Sequence, residues 1–290
     1  MRFPILDQYL ARLPERGGAS TSIWLDEQGR ALGRFFNCTM TSAFQPVRAL
    51  DGGAVRAHEG LARSVAAADE GLSLWKLLDH AASDDESVEL DRLCRMLHAI
   101  NFFRQGGDGD ADLYLNVHDR LLSAVSSNHG HAFQRIVEAL GLPMARIVLL
   151  LPLATERQGW LLNYVADNYR RNGFRIAVQA ASAADGLHLL ERVRPDVIRL
   201  DVRTLGGDAA AEAAAVALLQ HGRQAGTAVV FKRLDTAQAL RALRRVGDAA
   251  GMAPLAQGLL FDAPRARLHA GEAAPRAAAG GALPDTPCAA

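Results

Sequence analysis

Cysteine is scarce in this chain: 290 residues hold three, Cys38, Cys94 and Cys288. No two stand at C-x-x-C spacing and none joins histidines in a zinc-binding pattern. Three reduced thiols in a cytoplasmic protein are the expectation. Excess charge of one sign is missing as well, with 32 basic and 32 acidic residues and a pI near 7.1. Such a balance offers no bulk attraction to nucleic acid or to an anionic lipid surface, so neither is an expected partner. The longest apolar runs, such as 147–153, are far too short to span a bilayer. The opening MRFPILDQYLARLPERGG is amphipathic and carries acids, unlike a signal peptide. No Ser-His-Asp pattern, P-loop or dinucleotide fingerprint is present. His118, His129 and His131 lack an evident third ligand and read as surface-loop histidines.

What is present suits a globular α/β protein. Hydrophobic residues make up 49% and charged residues 22%, and the length suits one large domain or two small ones. Ile5, Leu6, Tyr9, Leu10 and Leu13 recur at helical spacing ahead of Gly17 and Gly18, which predicts a helical extension within residues 1–40. Short strand-like runs then follow at 42–48, 54–61, 111–117, 146–151, 174–179, 196–200, 227–231 and 255–259. Helical stretches fall between most of them, at 90–103, 132–140, 157–171, 183–192, 209–224 and 236–246. Asp51-Gly52-Gly53 between the first two runs is a hairpin signal, so the first strand should run antiparallel to the second. Eight strands with helices between them point to a (β/α)8-like barrel over 41–265. A doubly wound open sheet is the alternative that periodicity does not separate. The tail, 266–290, is mostly Ala, Gly, Pro and Arg and is expected to be disordered.

Six segments carry chemical information in order. They are Phe44-Gln45-Pro46-Val47, Asp51-Gly52-Gly53, His58-Glu59-Gly60-Leu61-Ala62-Arg63, Tyr114-Leu115-Asn116-Val117, Pro195-Asp196-Val197-Ile198-Arg199-Leu200-Asp201 and Ala256-Gln257-Gly258-Leu259-Leu260-Phe261. Together, over roughly residues 42–264, they resemble the EAL family of cyclic-di-GMP phosphodiesterases. The resemblance implies a modified TIM barrel with an antiparallel first strand and an active site at the C-terminal strand ends. Active members hydrolyse cyclic-di-GMP with two divalent cations held by carboxylates and an Asn, hard oxygen donors suited to Mg²⁺ or Mn²⁺.

Against that pattern the chain departs at most ligand positions. Glu59 and Asn116 remain as possible ligands. The Glu of the family's fourth-strand Glu-x-Thr-Glu is matched by Leu149, and its Asp-Asp-Phe-Gly by Gln179-Ala180-Ala181-Ser182. The family's catalytic Lys is matched by Arg199, and its Ala-Glu-Gly-Val-Glu-Thr by Phe231-Lys232-Arg233-Leu234-Asp235-Thr236. A Leu cannot coordinate a hard cation, and a Lys repels one. A guanidinium, always protonated, is a poor proton shuttle. The chain is therefore expected not to be an enzyme and to need no cofactor. Two placements stay open for Lys232: at a vacated cation position beside Glu59, or in solvent. By resemblance, Gln45, Glu59, Leu61, Arg63, Asn116, Arg199, Lys232 and Gln257 are the candidate ligand-binding residues. The leading reading is a non-catalytic cyclic-di-GMP receptor or adaptor acting through a regulatory protein partner, with a homodimer plausible. A protein-interaction module that binds no nucleotide is the alternative, and residual hydrolysis the remote one.

Overall fold

A computed structural model describes residues 3–15, 22–36, 38–51, 53–65, 84–106, 110–118, 129–153 and 159–268. Ten strands form one sheet. The first two, β1 (Ile23–Leu25) and β2 (Ala31–Phe35), make an antiparallel hairpin on the early half of β3 (Cys38–Ala49). Then come β4 (Val55–Ser64), β5 (Asp112–Asn116), β6 (Ile147–Leu150), β7 (Arg175–Ala180), β8 (Val197–Asp201), β9 (Ala228–Lys232) and β10 (Leu255–Ala256). Strands β4 to β10 run parallel in sequence order, and β3 pairs antiparallel with both β4 and β10. The sheet thus closes on itself as an eight-stranded mixed barrel. The barrel, its reversed first strand and the Asp51 hairpin match the sequence expectation.

Helices α1 (Pro4–Leu10), α2 (Asp84–Phe103), α3 (His129–Ala139), α4 (Gly159–Arg171), α5 (Ala183–Val193), α6 (Ala209–Ala225) and α7 (Ala237–Ala250) complete the regular structure among the described residues. Their ends follow local chemistry. Thr236 caps α7 by accepting from Ala239 N, and Gly251 closes it in the left-handed region at φ 65°. Ser182 does the same for α5 through Asp185 N.

Strand parity sorts the apolar residues into two cores. Val47, Ala57, Tyr114, Val148, Leu150, Ala177, Val197 and Val230 fill the barrel interior. Their neighbours, such as Leu113, Leu115, Ile147, Leu149, Ile176 and Ile198, pack in the larger cluster between sheet and helices. Both faces of the parallel strands are therefore apolar, which is why β6 reads as the unbroken run Ile147-Val148-Leu149-Leu150.

Two expectations need correction. The stretch at 1–40 is helical only over Pro4–Leu10; residues 23–25 and 31–35 are strands. The turn between them is fixed by Asp26, whose Oδ1 accepts from Gln28 N and Arg30 N. Asn101 of α2 then locks β2 by bonding both Ala31 N and Ala31 O. Residues 266–268, assigned to the tail, belong with the ordered domain. Arg265 exchanges both backbone bonds with Phe44, and Leu268 N donates to Gln105 Oε1. The rest of the tail, from 269, lies outside the described residues.

Candidate functional site

Above the apolar plug, the next inward position of several strands is polar. Counting two residues on from Val197 gives Arg199, from Ala57 Glu59, from Tyr114 Asn116, from Ala177 Gln179, from Val230 Lys232 and from Leu255 Gln257. Gln45, two residues before Val47 on the reversed β3, completes the ring. These side chains line a cavity of about 290 Å³ at the C-terminal end of the parallel strands. The sequence reading thus brought six of its eight candidates to one place. Leu61 and Arg63 share Glu59's face of β4 but lie further along it, with Arg63 exposed and opposite Thr41. Neither lines the cavity.

At the centre sits a buried ion pair. Arg199 Nη2 donates to Glu59 Oε2 at 2.7 Å and to Gln257 Oε1 at 2.5 Å. Gln257 Nε2 donates to Glu59 Oε2 at 2.9 Å, and Asn116 Nδ2 to Glu59 Oε1 at 2.8 Å. Both carboxylate oxygens are therefore taken. Burial alone would raise the Glu59 carboxyl, but the charge and hydrogen bond of Arg199, helped by Asn116 and Gln257, hold it at about 2. Arg199 Nε is buried without a hydrogen-bond partner among the described residues. It is a donor that this network does not satisfy.

Lys232 takes neither of its two expected placements. It is half-buried, and its Nζ donates to Gln179 Oε1 at 2.5 Å. Arg199, whose register partner on β9 is Val230, sits one inward position deeper than Lys232 and has claimed Glu59 from across the barrel. Burial, then the charges of Arg199 and Arg233, push the Lys232 amine below its ordinary value, against the opposing pull of Glu59 and Asp201.

Parity also corrects the fourth-strand alignment. Leu149 points to the helix layer; the residue facing the barrel interior is Leu150, the register partner of Asn116. A one-residue shift in a strand exchanges its faces, and an all-apolar run hides the shift from sequence reading. Gln179 was noted only as a lost carboxylate, yet it holds Lys232. The histidine reading needs amending too: His118 is buried with its N bonded to Asp91, while 129 and 131 open α3. Among the described residues, no three His, Cys, Asp or Glu side chains are placed to hold a metal ion.

Two backbone features shape the rim. Gly258 lies against the backbone of Leu234, where an added Cβ would come within 2.2 Å of Leu234 O, so the chain after β10 can cross there only as glycine. Arg233, exposed at the cavity, adopts φ 61°. Such a backbone costs a non-glycine residue about 1–2 kcal/mol. Arg233→Gly should therefore stabilise the protein by about 0.5–1 kcal/mol once glycine's own flexibility is deducted. Urea midpoints of the two proteins check this; a lower midpoint for the variant would refute it.

The domain model described as "EAL domain" matches residues 29–264. This chain belongs to the EAL domain family. The EAL barrel aligns with solved structures of low identity. One is Klebsiella pneumoniae BlrP1 in a manganese and cyclic diGMP complex, at 21% identity, TM-score 0.64, covering 78% of this chain and 56% of that one. Another is Bacillus subtilis YkuI, with an EAL domain, in complex with substrate c-di-GMP and calcium, at 20% identity, TM-score 0.64, covering 79% and 57%. A third is BlrP1 with FMN and cyclic diGMP and no metal ions, at 20% identity, TM-score 0.58, covering 78% and 53%. The chain thus spans little more than half the length of these proteins. A comparison with curated proteins found no match. No helix among the described residues is long and apolar enough to cross a membrane.

Proposed function

We propose that this EAL barrel is a non-catalytic, metal-independent receptor for cyclic-di-GMP, cytoplasmic, that passes its ligand state to a protein partner. The observation that supports it most is the engagement of Glu59 by Arg199, Asn116 and Gln257. Three of the four acceptor sites of that carboxylate are occupied, and its charge is already neutralised by Arg199. Leu150 offers no donor at the adjoining strand end, and Arg199 and Arg233 bring fixed positive charge to the cavity. That donor set does not fit a pair of divalent cations, which need several oxygen ligands. It does fit a phosphodiester. Lys232 and Arg233 supply donors for phosphate oxygens, and Arg199 adds positive charge beneath them. Gln45 and Gln257 line the same cavity. BlrP1, solved with cyclic diGMP and no metal ions, offers a precedent for such binding in a protein of this fold.

The alternative reading, a protein-interaction module that binds no nucleotide, draws support from two features. Ala180 and Ala181 put no polar side chain where the family motif has polar groups. Trp160 and Tyr164, one turn apart on α4, are 68% and 52% exposed.

Calorimetric titration with cyclic-di-GMP in EDTA, then with excess Mg²⁺ or Mn²⁺, separates the readings. Micromolar or tighter binding in EDTA with the nucleotide recovered intact is expected. No binding by two methods would favour the interaction module. Linear dinucleotide in the metal sample would overturn the non-catalytic assignment.

A further inference from the structure

Lys232 is unusual in its chemistry as well as its position. Lys76 and Lys232 are the only lysines among the 32 basic side chains of this chain, and Lys76 lies outside the described residues. Where this protein needs positive charge, it uses arginine. A guanidinium at 232 would also supply charge to the cavity. A primary amine gives one thing more: it can lose its proton and act as a nucleophile.

The surroundings of Lys232 suit that role. It projects from the C-terminal end of β9 into an open cavity, half-buried, with Gln179 Oε1 fixing its Nζ at 2.5 Å. Gln179 accepts a hydrogen bond from either protonation state of the amine. The groups facing Lys232 are Arg199 and Asp201 of β8, Glu59 of β4 and its neighbour Arg233. Glu59 is already neutralised by Arg199, and Asp201 is bonded to Arg203 and within 3.7 Å of Arg233. The net field on the amine is cationic, and with burial it favours the neutral form, the direction in which Lys232 is shifted. Desolvation and a neighbouring cation are the two ways in which proteins make lysine nucleophilic. The same cations would hold an anionic substituent of the electrophile. Arg233 keeps a backbone conformation at φ 61° that glycine would occupy more readily, at a position where the motif the chain resembles carries Gly. Retaining a guanidinium there against that conformational cost points to a use for it.

We infer that Lys232 is a nucleophilic amine that reversibly captures a small anionic aldehyde as an imine. The Nζ lone pair adds to the carbonyl carbon while the C=O π pair moves to oxygen. The two amine protons and the carbonyl oxygen leave together as water, forming C=N. No oxidant, reductant or metal is consumed, and hydrolysis reverses the step. This activity is separate from nucleotide recognition, although both would use one cavity.

The test uses the full chain and pyridoxal 5′-phosphate as the probe aldehyde, with borohydride reduction to fix the adduct. Peptide mapping then reads labelling at Lys232, Lys76 and the N-terminal amine. Lys232 should label about tenfold faster than Lys76. The phosphate-free aldehyde pyridoxal should label Lys232 about tenfold more slowly than the phosphorylated one. Lys232→Arg should abolish the fast phase, Lys76→Arg should leave it unchanged, and Arg233→Gly should slow it. Equal rates at the two lysines, or a fast phase that survives Lys232→Arg, would overturn the inference. Equal rates with pyridoxal would overturn its anionic requirement. Because Lys232→Arg keeps the charge, cyclic-di-GMP binding measured on that variant reports on the receptor reading independently of the imine.

Discussion

Arg199→Met should lower the unfolding free energy by about 3–5 kcal/mol, the usual cost of removing one member of a buried ion pair. Glu59 is then left in the barrel with only the amides of Asn116 and Gln257. The pH dependence carries the sign. In the native protein the Glu59 carboxyl is held at about 2, below its ordinary 4.5. A depressed carboxylate contributes stability that is fully present above its unfolded value and is lost as pH falls through the folded one. The window therefore runs from about 4.5 down to about 2, and the amount is on the order of 3 kcal/mol. In Arg199→Met, burial would act without its counter-charge and raise the same carboxyl, so lowering the pH should stabilise the variant where it destabilises the native protein. Denaturant unfolding at several pH values reads both effects. The double variant Glu59→Gln, Arg199→Met should recover much of the loss, since neither partner leaves an unpaired charge behind. A single variant as stable as the native protein, or one with the same pH slope, would show that the pair carries no such energy.

Lys232→Glu should weaken cyclic-di-GMP binding in EDTA by about 100-fold or more. Reversing one unit charge near a phosphate changes the interaction by several kcal/mol at the effective dielectric of a half-buried site, roughly 4 kcal/mol per charge at contact. The exchange also restores a carboxylate at the place where the family motif carries one. Even so, Mn²⁺ should not rescue binding, because Arg199 still holds Glu59. Rescue should require Arg199 to be changed too. Calorimetry with and without Mn²⁺ measures each step; a variant that binds like the native protein in EDTA would remove Lys232 from the site.

The fold was largely legible because its signals are local and repeated. Each parallel strand announces itself as a short apolar run, and Asp51-Gly52-Gly53 marks the reversal that closes the barrel. The hairpin β1–β2 was not legible: three- and five-residue strands carry little periodicity, and β2 is held by Asn101, some 70 residues away. In the site, ordered motifs located Gln45, Glu59, Asn116, Arg199, Lys232 and Gln257, since each sits at a fixed inward position. What composition could not supply was partnership. Whether Arg199 or Lys232 reaches Glu59 depends on how deep each side chain sits in the closed barrel, and the choice of Leu150 over Leu149 depends on a parity that four consecutive buried apolar residues do not display.

The seam of the barrel joins residues that are made far apart in time. Gln257 touches Glu59 and the backbone of Gln45, and Arg48 grips Asp262 across 214 positions of chain. Until β10 has left the ribosome, Arg199 and Glu59 lack the amide that bridges them, and the cavity has no wall on that side. A ligand for this cavity would therefore recognise only molecules whose barrel has closed. Its binding would be a readout of barrel closure, and clipping the chain just before Gln257 would remove that wall while leaving the residues of all eight barrel strands intact.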